Sequence, residues 1–317
     1  MNHGPVAFLF PGQGTQAAGM GKELASLYPV ARHTFQEADD ALGFSISKLC
    51  FEGPDEQLKL TENTQPAILT MSTAVARVLQ EKGIVPQFAA GHSLGEYSAH
   101  VAAGTIPFAD AVRTVHNRGR YMQEAVPAGE GGMAAILGMA LEQLQQVCAD
   151  AAQGEVVSPA NINSPDQIVI SGHQKAVERA AELAKQRGAK RAKMLEVSAP
   201  FHCELMKPAQ DRLEADLQKL HFNNPELPVI ANIDATPKAT AEGSRQALVR
   251  QVTGAVQWAK CMQTLIGLGV QTFIEVGPGK VLTGLMRQID RSQNCLNAED
   301  EASVQKVSNL FAAAAKE

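Results

Sequence analysis

Short apolar runs that stop at Gly or Pro punctuate the chain. Val6–Phe10 stops at Pro11-Gly12, Phe88–Ala90 at Gly91, and Thr272–Val276 at Gly277-Pro-Gly279; Val229–Ile233 is a fourth run. Each predicts a buried strand. Between them lie helical patterns. In Pro66–Lys82, the residues Ile68, Met71, Val75 and Val78 recur at helical spacing, and Phe108–Glu124 is a second such segment. Strands alternating with helices imply a mainly parallel sheet covered on both faces, the α/β class.

The middle of the chain follows another rhythm. Pro127–Gly132 (PAGEGG) has linker composition, and the apolar run Met133–Leu137 follows it. Leu141–Ala152 predicts a helix. Val156–Asn161 and Gln167–Ser171 predict two strands joined through the turn residues Asn163-Ser-Pro-Asp166. Gln174–Arg187 predicts a helix ended by Gly188, and Lys193–Val197 a last strand before Ala199-Pro200. The order β-α-β-β-α-β is the ferredoxin-like split unit. We therefore expect a small domain at 127–199 inserted into a large one made of 1–126 and 200–317.

Composition narrows the function classes. The chain has 317 residues, 45% hydrophobic and 19% charged, with 28 basic and 33 acidic side chains for a net charge of −5. Those values fit a globular protein and disfavour a nucleic-acid binder. The five cysteines Cys50, Cys148, Cys203, Cys261 and Cys295 are odd in number and form no CxxC, so neither a disulfide framework nor a zinc site is expected. No His/Cys/Asp cluster has metal-ligand spacing, and no cofactor is implied. The N-terminus lacks a secretory pattern and no run reaches the length of a membrane span, so a cytoplasmic, soluble protein with no membrane contact is expected.

The most informative segment is Phe88-Ala-Ala-Gly-His-Ser-Leu-Gly-Glu-Tyr97. It contains G-x-S-x-G between an apolar strand and an alanine-rich helix, the context of a nucleophile elbow. Ser93 is then the candidate nucleophile, at a helix N-terminus whose free N–H groups favour developing negative charge. A Gly-rich turn with a capping serine is the plainer reading. A serine nucleophile needs a base. His92 is adjacent and should point away; His100 lies seven residues along the helix, out of reach. His3 and His33 sit in polar N-terminal contexts. His116, His173, His202 and His221 remain, and His202, after the rigid Ala199-Pro-Phe201, is the best placed.

Five motifs occur in order: Phe10-Pro-Gly-Gln-Gly-Thr-Gln16, Gly91–Tyr97, Asn117-Arg-Gly119, Ser198-Ala-Pro-Phe-His202 and Glu275-Val-Gly-Pro-Gly279. As a set, spanning Val6 to about Ile289, they resemble the malonyl-CoA:acyl-carrier-protein transacylase family. The resemblance implies an α/β-hydrolase-like large domain with a short parallel sheet and an inserted ferredoxin-like small domain. It implies malonyl transfer from malonyl-CoA to acyl carrier protein through a malonyl-serine ester, supplying fatty acid elongation. By position, Ser93 matches the nucleophile and His202 the general base. Arg118 matches the arginine that holds the malonyl carboxylate, and Gln13 and Leu94 match the oxyanion-hole residues. Gln251 matches a glutamine whose backbone carbonyl orients the base, and Asn161 a small-domain residue facing the cleft. Two departures stand out. Relatives often have Asn-Pro-Val-x-Trp where this chain has Gly254-Ala-Val-Gln-Trp258, and Cys203 follows the histidine where Ser is common.

Rival readings are weaker. Gly12-Gln-Gly-Thr-Gln-Ala17 fits G-x-G-x-x-A, but no second strand follows to carry the acidic residue a dinucleotide site needs. A serine hydrolase shares the elbow without a carboxylate clamp, a polyketide-synthase acyltransferase shares the chemistry, and an interaction module leaves the motifs unexplained. Finally, Lys185, Arg187, Lys190, Arg191 and Lys193 place five basic and no acidic residues in nine positions, leaving 23 basic against 33 acidic elsewhere. They are either a solvated helix end suited to the helix dipole or a patch that steers the acidic carrier protein.

Overall fold

The computed structural model describes residues 4–197 and 199–314. Ser198 and His3 lie outside the described residues. Two sheets organise the chain. One contains β1 (Val6–Phe10), β2 (Phe88–Gly91), β7 (Val229–Ile230), β8 (Pro237–Lys238), β9 (Thr272–Val276) and β10 (Asn294–Ala298), in the order β10-β9-β1-β2-β7-β8. All its pairings are parallel except β7 with β8. The other contains β3 (Gly131–Leu137), β4 (Val157–Ser164), β5 (Gln167–His173) and β6 (Arg191–Met194), in the order β4-β5-β3-β6, all antiparallel. With the helices Leu141–Ala152 and Gln174–Gln186 between its strands, it has the expected β-α-β-β-α-β order.

β1 explains why its run is apolar without alternation. Val6, Phe8 and Phe10 belong to one core cluster while Ala7 and Leu9 belong to another on the opposite face. A strand covered on both sides has no polar face to show. β1 and β2 are central neighbours in register, Phe10 beside Gly91, so the loops after both strands leave from one edge. That carboxyl edge is where open α/β sheets build sites.

Several boundaries differ from the sequence reading, each for a physical reason. The helix expected from Pro66 begins at Thr61 and runs to Glu81 with Pro66 inside it. Proline leaves the Glu62 carbonyl without its helical partner, and the His116 ring takes that carbonyl at 2.8 Å instead. The strand expected at Lys193–Val197 is Arg191–Met194, because its pairing to β3 runs from Arg191 opposite Leu137 to Met194 opposite Ala134. The strand at Val229–Ile233 keeps only two residues, since the Asn232 N–H turns away to a buried carboxylate. β4 continues to Ser164, past the expected Asn161, leaving Pro165-Asp166 as the turn. The end of the expected linker is strand: Gly131 and Gly132 open β3, and the Pro200 ring leaves no room for a Cβ on Gly131. Periodicity did not single out the N-terminal helices Pro29–Leu42 and Ile46–Glu52, nor Lys207–Leu217, Ala241–Gln251 and Glu301–Ala314. All five cysteines are free thiols, and no helix among the described residues is long and apolar enough to cross a membrane.

Candidate active site

Ser93 turns the chain from β2 into the helix Gly95–Ala102 with a φ of 52°. Left-handed backbone costs a residue with a Cβ roughly 1–3 kcal/mol, so it persists only where surroundings impose it. Gly91 and Gly95 make the turn sterically possible. A Cβ on Gly91 would collide with the Gly95 carbonyl, and one on Gly95 with the Phe10 carbonyl, both inside 3.0 Å. Asn232 clamps the turn from outside. Its Oδ1 accepts from the Ser93 N–H at 2.7 Å, and its Nδ2 donates to the Gly91 carbonyl at 2.7 Å. Only four described non-glycine residues have positive φ, and His202, at 59°, is another of them.

His202 brings Nε2 to 2.7 Å from Ser93 Oγ, and its Nδ1 lies 2.9 Å from the Gln251 carbonyl. A carbonyl only accepts, so Nδ1 carries the proton and Nε2 presents its lone pair to the hydroxyl. Gln251 is the last residue of the helix Ala241–Gln251, whose terminal carbonyls have no helical donor to bond. Burial, then the Arg118 charge, pushes the His202 imidazole down to about 3, so the ring is neutral at ordinary pH.

Arg118 lies on the helix Phe108–Glu124, only 1% exposed. The next residue, Gly119, lets that helix press against Thr61–Glu81: a Cβ there would sit 2.5 Å from the Thr61 carbonyl oxygen. Arg118 Nη1 donates to Gln65 Oε1 at 2.8 Å; Nη2 donates to Gln251 Oε1 at 3.0 Å and to Ser93 Oγ at 3.2 Å. Burial lowers the guanidinium pKa. Among the described residues no carboxylate forms an ion pair with it, and its Nε has no partner. A buried cation whose hydrogen bonds all go to neutral groups has the chemistry to take an anion as a partner.

Two backbone N–H groups next to the elbow are left without acceptors among the described residues. Gly12 lets the loop after β1 lie on the elbow, where a Cβ would meet the His92 carbonyl at 2.6 Å. Gln13 follows it, with its side chain accepting from Gln65 Nε2 at 3.1 Å. Leu94 follows Ser93 and is fully buried. Neither the Gln13 nor the Leu94 N–H has an acceptor among the described residues.

Asn161 sits on β4, buried, and forms a parallel bridge to Val256. Its side chain makes no hydrogen bond among the described residues; two positions on, Asn163 Oδ1 meets His92 Nε2 at 2.8 Å and joins the small sheet to the elbow. The bridge also fixes the loop that lacks proline. The Val256 N–H donates to Ala160 and its carbonyl accepts from Ile162, while Trp258 is fully buried. Cys203 donates to the Pro200 carbonyl. The other histidine candidates are engaged elsewhere: His100 with Thr105, His173 with the Val156 N–H, His221 with Asn223. Gln65, Asn232, Asn163 and Glu96 were not anticipated. Of these only Glu96 carried a signal, its place inside the elbow motif.

The basic stretch divides. Lys185, Arg187, Lys190, Arg191 and Lys193 are all exposed. Lys185 pairs with Glu182 and Arg187 with Asp150 on the helical side. Ala192 and Met194 pack towards those helices, so Arg191 and Lys193 face the opposite side of the sheet. That side continues into Met133, Val169, Leu195 and Phe201, beside His202.

Comparison with known proteins agrees with this fold. The acyl transferase domain model matches residues 7–310. The malonyl CoA-acyl carrier protein transacylase of Escherichia coli (strain K12) is 52% identical over 284 residues, covering 89% of this chain and 92% of that protein. The crystal structure of an acyl carrier protein S-malonyltransferase from Vibrio cholerae superposes with a TM-score of 0.94 at 50% identity, covering 95% and 99% of the two chains. A malonyl-transacylase in complex with a type II PKS acyl-carrier protein superposes with a TM-score of 0.94 at 47% identity, covering 96% and 99%. With an elbow serine in contact with a neutral histidine and a buried arginine, and with relatives of this similarity along nearly its whole length, the chain belongs to the malonyl CoA-acyl carrier protein transacylase family of acyl transferases.

Proposed function

We propose that this chain transfers the malonyl group from malonyl-CoA to the phosphopantetheine thiol of acyl carrier protein, supplying fatty acid elongation. The observation that carries the reading is the Ser93 hydroxyl held between His202 Nε2 at 2.7 Å and Arg118 Nη2 at 3.2 Å. One group accepts its proton; the other holds a carboxylate two carbons from the carbonyl under attack. His202 takes the Ser93 proton as Oγ attacks the thioester. The N–H groups of Gln13 and Leu94 hold the oxyanion, worth roughly 3–4 kcal/mol for each donor. The C–S bond breaks, the proton passes from His202 to the CoA sulfur, and a malonyl ester remains on Ser93. The carrier's thiol repeats the sequence in reverse, giving its proton to His202.

Arg118 selects for a dicarboxylic acyl group, because an acetyl chain leaves the buried guanidinium with neutral partners only. Phe201 beside His202 suits a small acyl pocket. Asn161 lines the cleft from the small sheet. The acidic carrier is steered by the basic stretch Lys185, Arg187, Lys190, Arg191 and Lys193, with Arg191 and Lys193 the most effective because they are on the cleft side of the sheet. No cofactor takes part, malonyl-CoA being a substrate, and the protein works in the cytoplasm. A second reading, service to a polyketide carrier, is favoured by the relative bound to a type II PKS carrier. Incubation with malonyl-CoA followed by intact mass should give one malonyl adduct on Ser93, discharged by a fatty-acid carrier protein. Rapid discharge by a polyketide carrier alone would favour the second reading; discharge by water as fast as by either carrier would make the chain a hydrolase.

A further inference from the structure

Glu96 is a buried carboxyl group that the reaction above does not use. It is 0% exposed, one turn below the nucleophile. Its Oε2 accepts two hydrogen bonds, from the Asn232 N–H at 2.9 Å and from Gln251 Nε2 at 2.7 Å. Its Oε1 has no partner among the described residues. Those two donors are the residues that hold the reacting groups. Asn232 Oδ1 takes the Ser93 N–H. Gln251 gives its backbone carbonyl to His202 and its Oε1 to Arg118, while Nε2 also reaches the Ser93 carbonyl at 3.0 Å.

Charge decides which way the Gln251 amide points. Turned over, it would set Oε1 against the Glu96 carboxylate and its NH2 against the Arg118 guanidinium, both repulsive. An ionised Glu96 therefore fixes the amide with its oxygen towards Arg118. We propose that Glu96, resting on the transferase reading, is a positioning residue: its carboxylate holds Asn232 and Gln251 together and through them orients Ser93, His202 and Arg118 for acyl transfer.

Ionisation of that carboxyl falls in an accessible range. Burial raises it to about 7, against the lowering pull of its two donors and Arg118. Arg118 faces it from the helix Phe108–Glu124, Asp234 from the segment after β7, Cys261 from the helix Trp258–Gly267, and Tyr97 from its own helix. Asp234 has its pKa lowered, and Tyr97 and Cys261 have theirs raised, so none of these titrates near neutrality. His202, at about 3, also lies outside the window. Ser93 acylation then rises with pH through about 7 because Glu96 ionises.

The test is the single-turnover rate of Ser93 acylation by malonyl-N-acetylcysteamine, a donor without CoA's titrating phosphates, between pH 5.5 and 8.5. The wild-type chain should load at least tenfold faster at pH 8.5 than at pH 5.5. Glu96→Gln keeps an acceptor for both donors and loses the charge. At pH 8.5 it should load at least tenfold more slowly than wild type with its KM within threefold, and its profile should be flat. Asn232→Ala and Glu96→Gln together should cost less than the two single losses combined, because the Asn232 side chain carries part of what Glu96 holds while Gln251 carries the rest. A Glu96→Gln rate and profile equal to wild type would overturn the positioning role while leaving the transferase reading intact, whereas a flat wild-type profile with a slow Glu96→Gln would support it with the carboxylate ionised throughout the range. No Ser93 adduct in wild type at any pH would overturn both.

Discussion

Gln251 holds His202 and Arg118 with different parts of itself. Its backbone carbonyl accepts from His202 Nδ1 at 2.9 Å, and its side-chain oxygen accepts from Arg118 at 3.0 Å. His202 is thus oriented by a neutral main-chain group at a helix end, and Arg118 by a side chain that mutation can remove. The two functions separate. Gln251→Ala should leave the histidine tautomer in place yet loosen Arg118, so malonyl-over-acetyl preference in Ser93 loading should fall about tenfold, one charged hydrogen bond's worth. Competition between malonyl-CoA and acetyl-CoA, read by intact mass, measures it.

Arg118 gives a sharper contrast. Arg118→Ala should abolish the preference for malonyl while acetyl loading survives. Arg118→Lys should recover little, since one ammonium group cannot span Gln65, Gln251 and a carboxylate as the planar fork does. Unchanged selectivity in either variant would remove Arg118 from the carboxylate role.

Ser93→Ala should give no adduct with malonyl-CoA, and His202→Ala should slow both half-reactions by at least a hundredfold, the scale of general base catalysis. Single-turnover loading and carrier discharge measure the two steps separately. A full-rate His202 variant would mean another group accepts the proton.

The elbow is sterically closed. Gly95→Ala places a Cβ against the Phe10 carbonyl, and the clash should destabilise the fold by roughly 1–3 kcal/mol and displace Ser93. Loss of loading should exceed loss of melting temperature. An active, normally stable Gly95→Ala would show that the turn has room to move.

Acid stability carries the mark of His100. Burial pushes its imidazole down to about 3 from 6.5. The neutral form is the one the fold accepts, so this contribution is present above 6.5 and lost as pH falls towards 3. At pH 5 the loss is about 2 kcal/mol. His100→Leu, remote from the reacting groups, should therefore narrow the drop in melting temperature between pH 7.5 and pH 5, measured by circular dichroism. An unaltered drop would mean the histidine is hydrated in the native state.

The legible parts of the molecule were those whose signal is local. β1 declared itself by an apolar run that only a doubly covered strand produces, and the elbow by glycines whose spacing follows from its own sterics. Pro66 misled the helix boundary, because a proline usually opens a helix, whereas here the His116 ring bonds the carbonyl it leaves free. The basic stretch looked continuous along the chain. Strand alternation then sent Arg191 and Lys193 to one side of the sheet, and the remaining cations include two already paired with acids.

The sequence by itself determined the α/β class, the β-α-β-β-α-β order of the small unit and the elbow serine as a candidate, because periodicity, turn chemistry and motif spacing are written in neighbouring residues; His202 and Arg118 were named by the likeness of the motif set to a known family. Only the tertiary structure decided what supports them. Gln65, Glu96 and Asn232 are polar residues with no local pattern of their own. Their meaning is a set of hydrogen bonds across 136 to 141 positions for Glu96, Gly91 and Ser93 with Asn232 and 53 for Arg118 with Gln65. Such bonds acquire direction and strength only when folding removes water from both partners and leaves each no other choice.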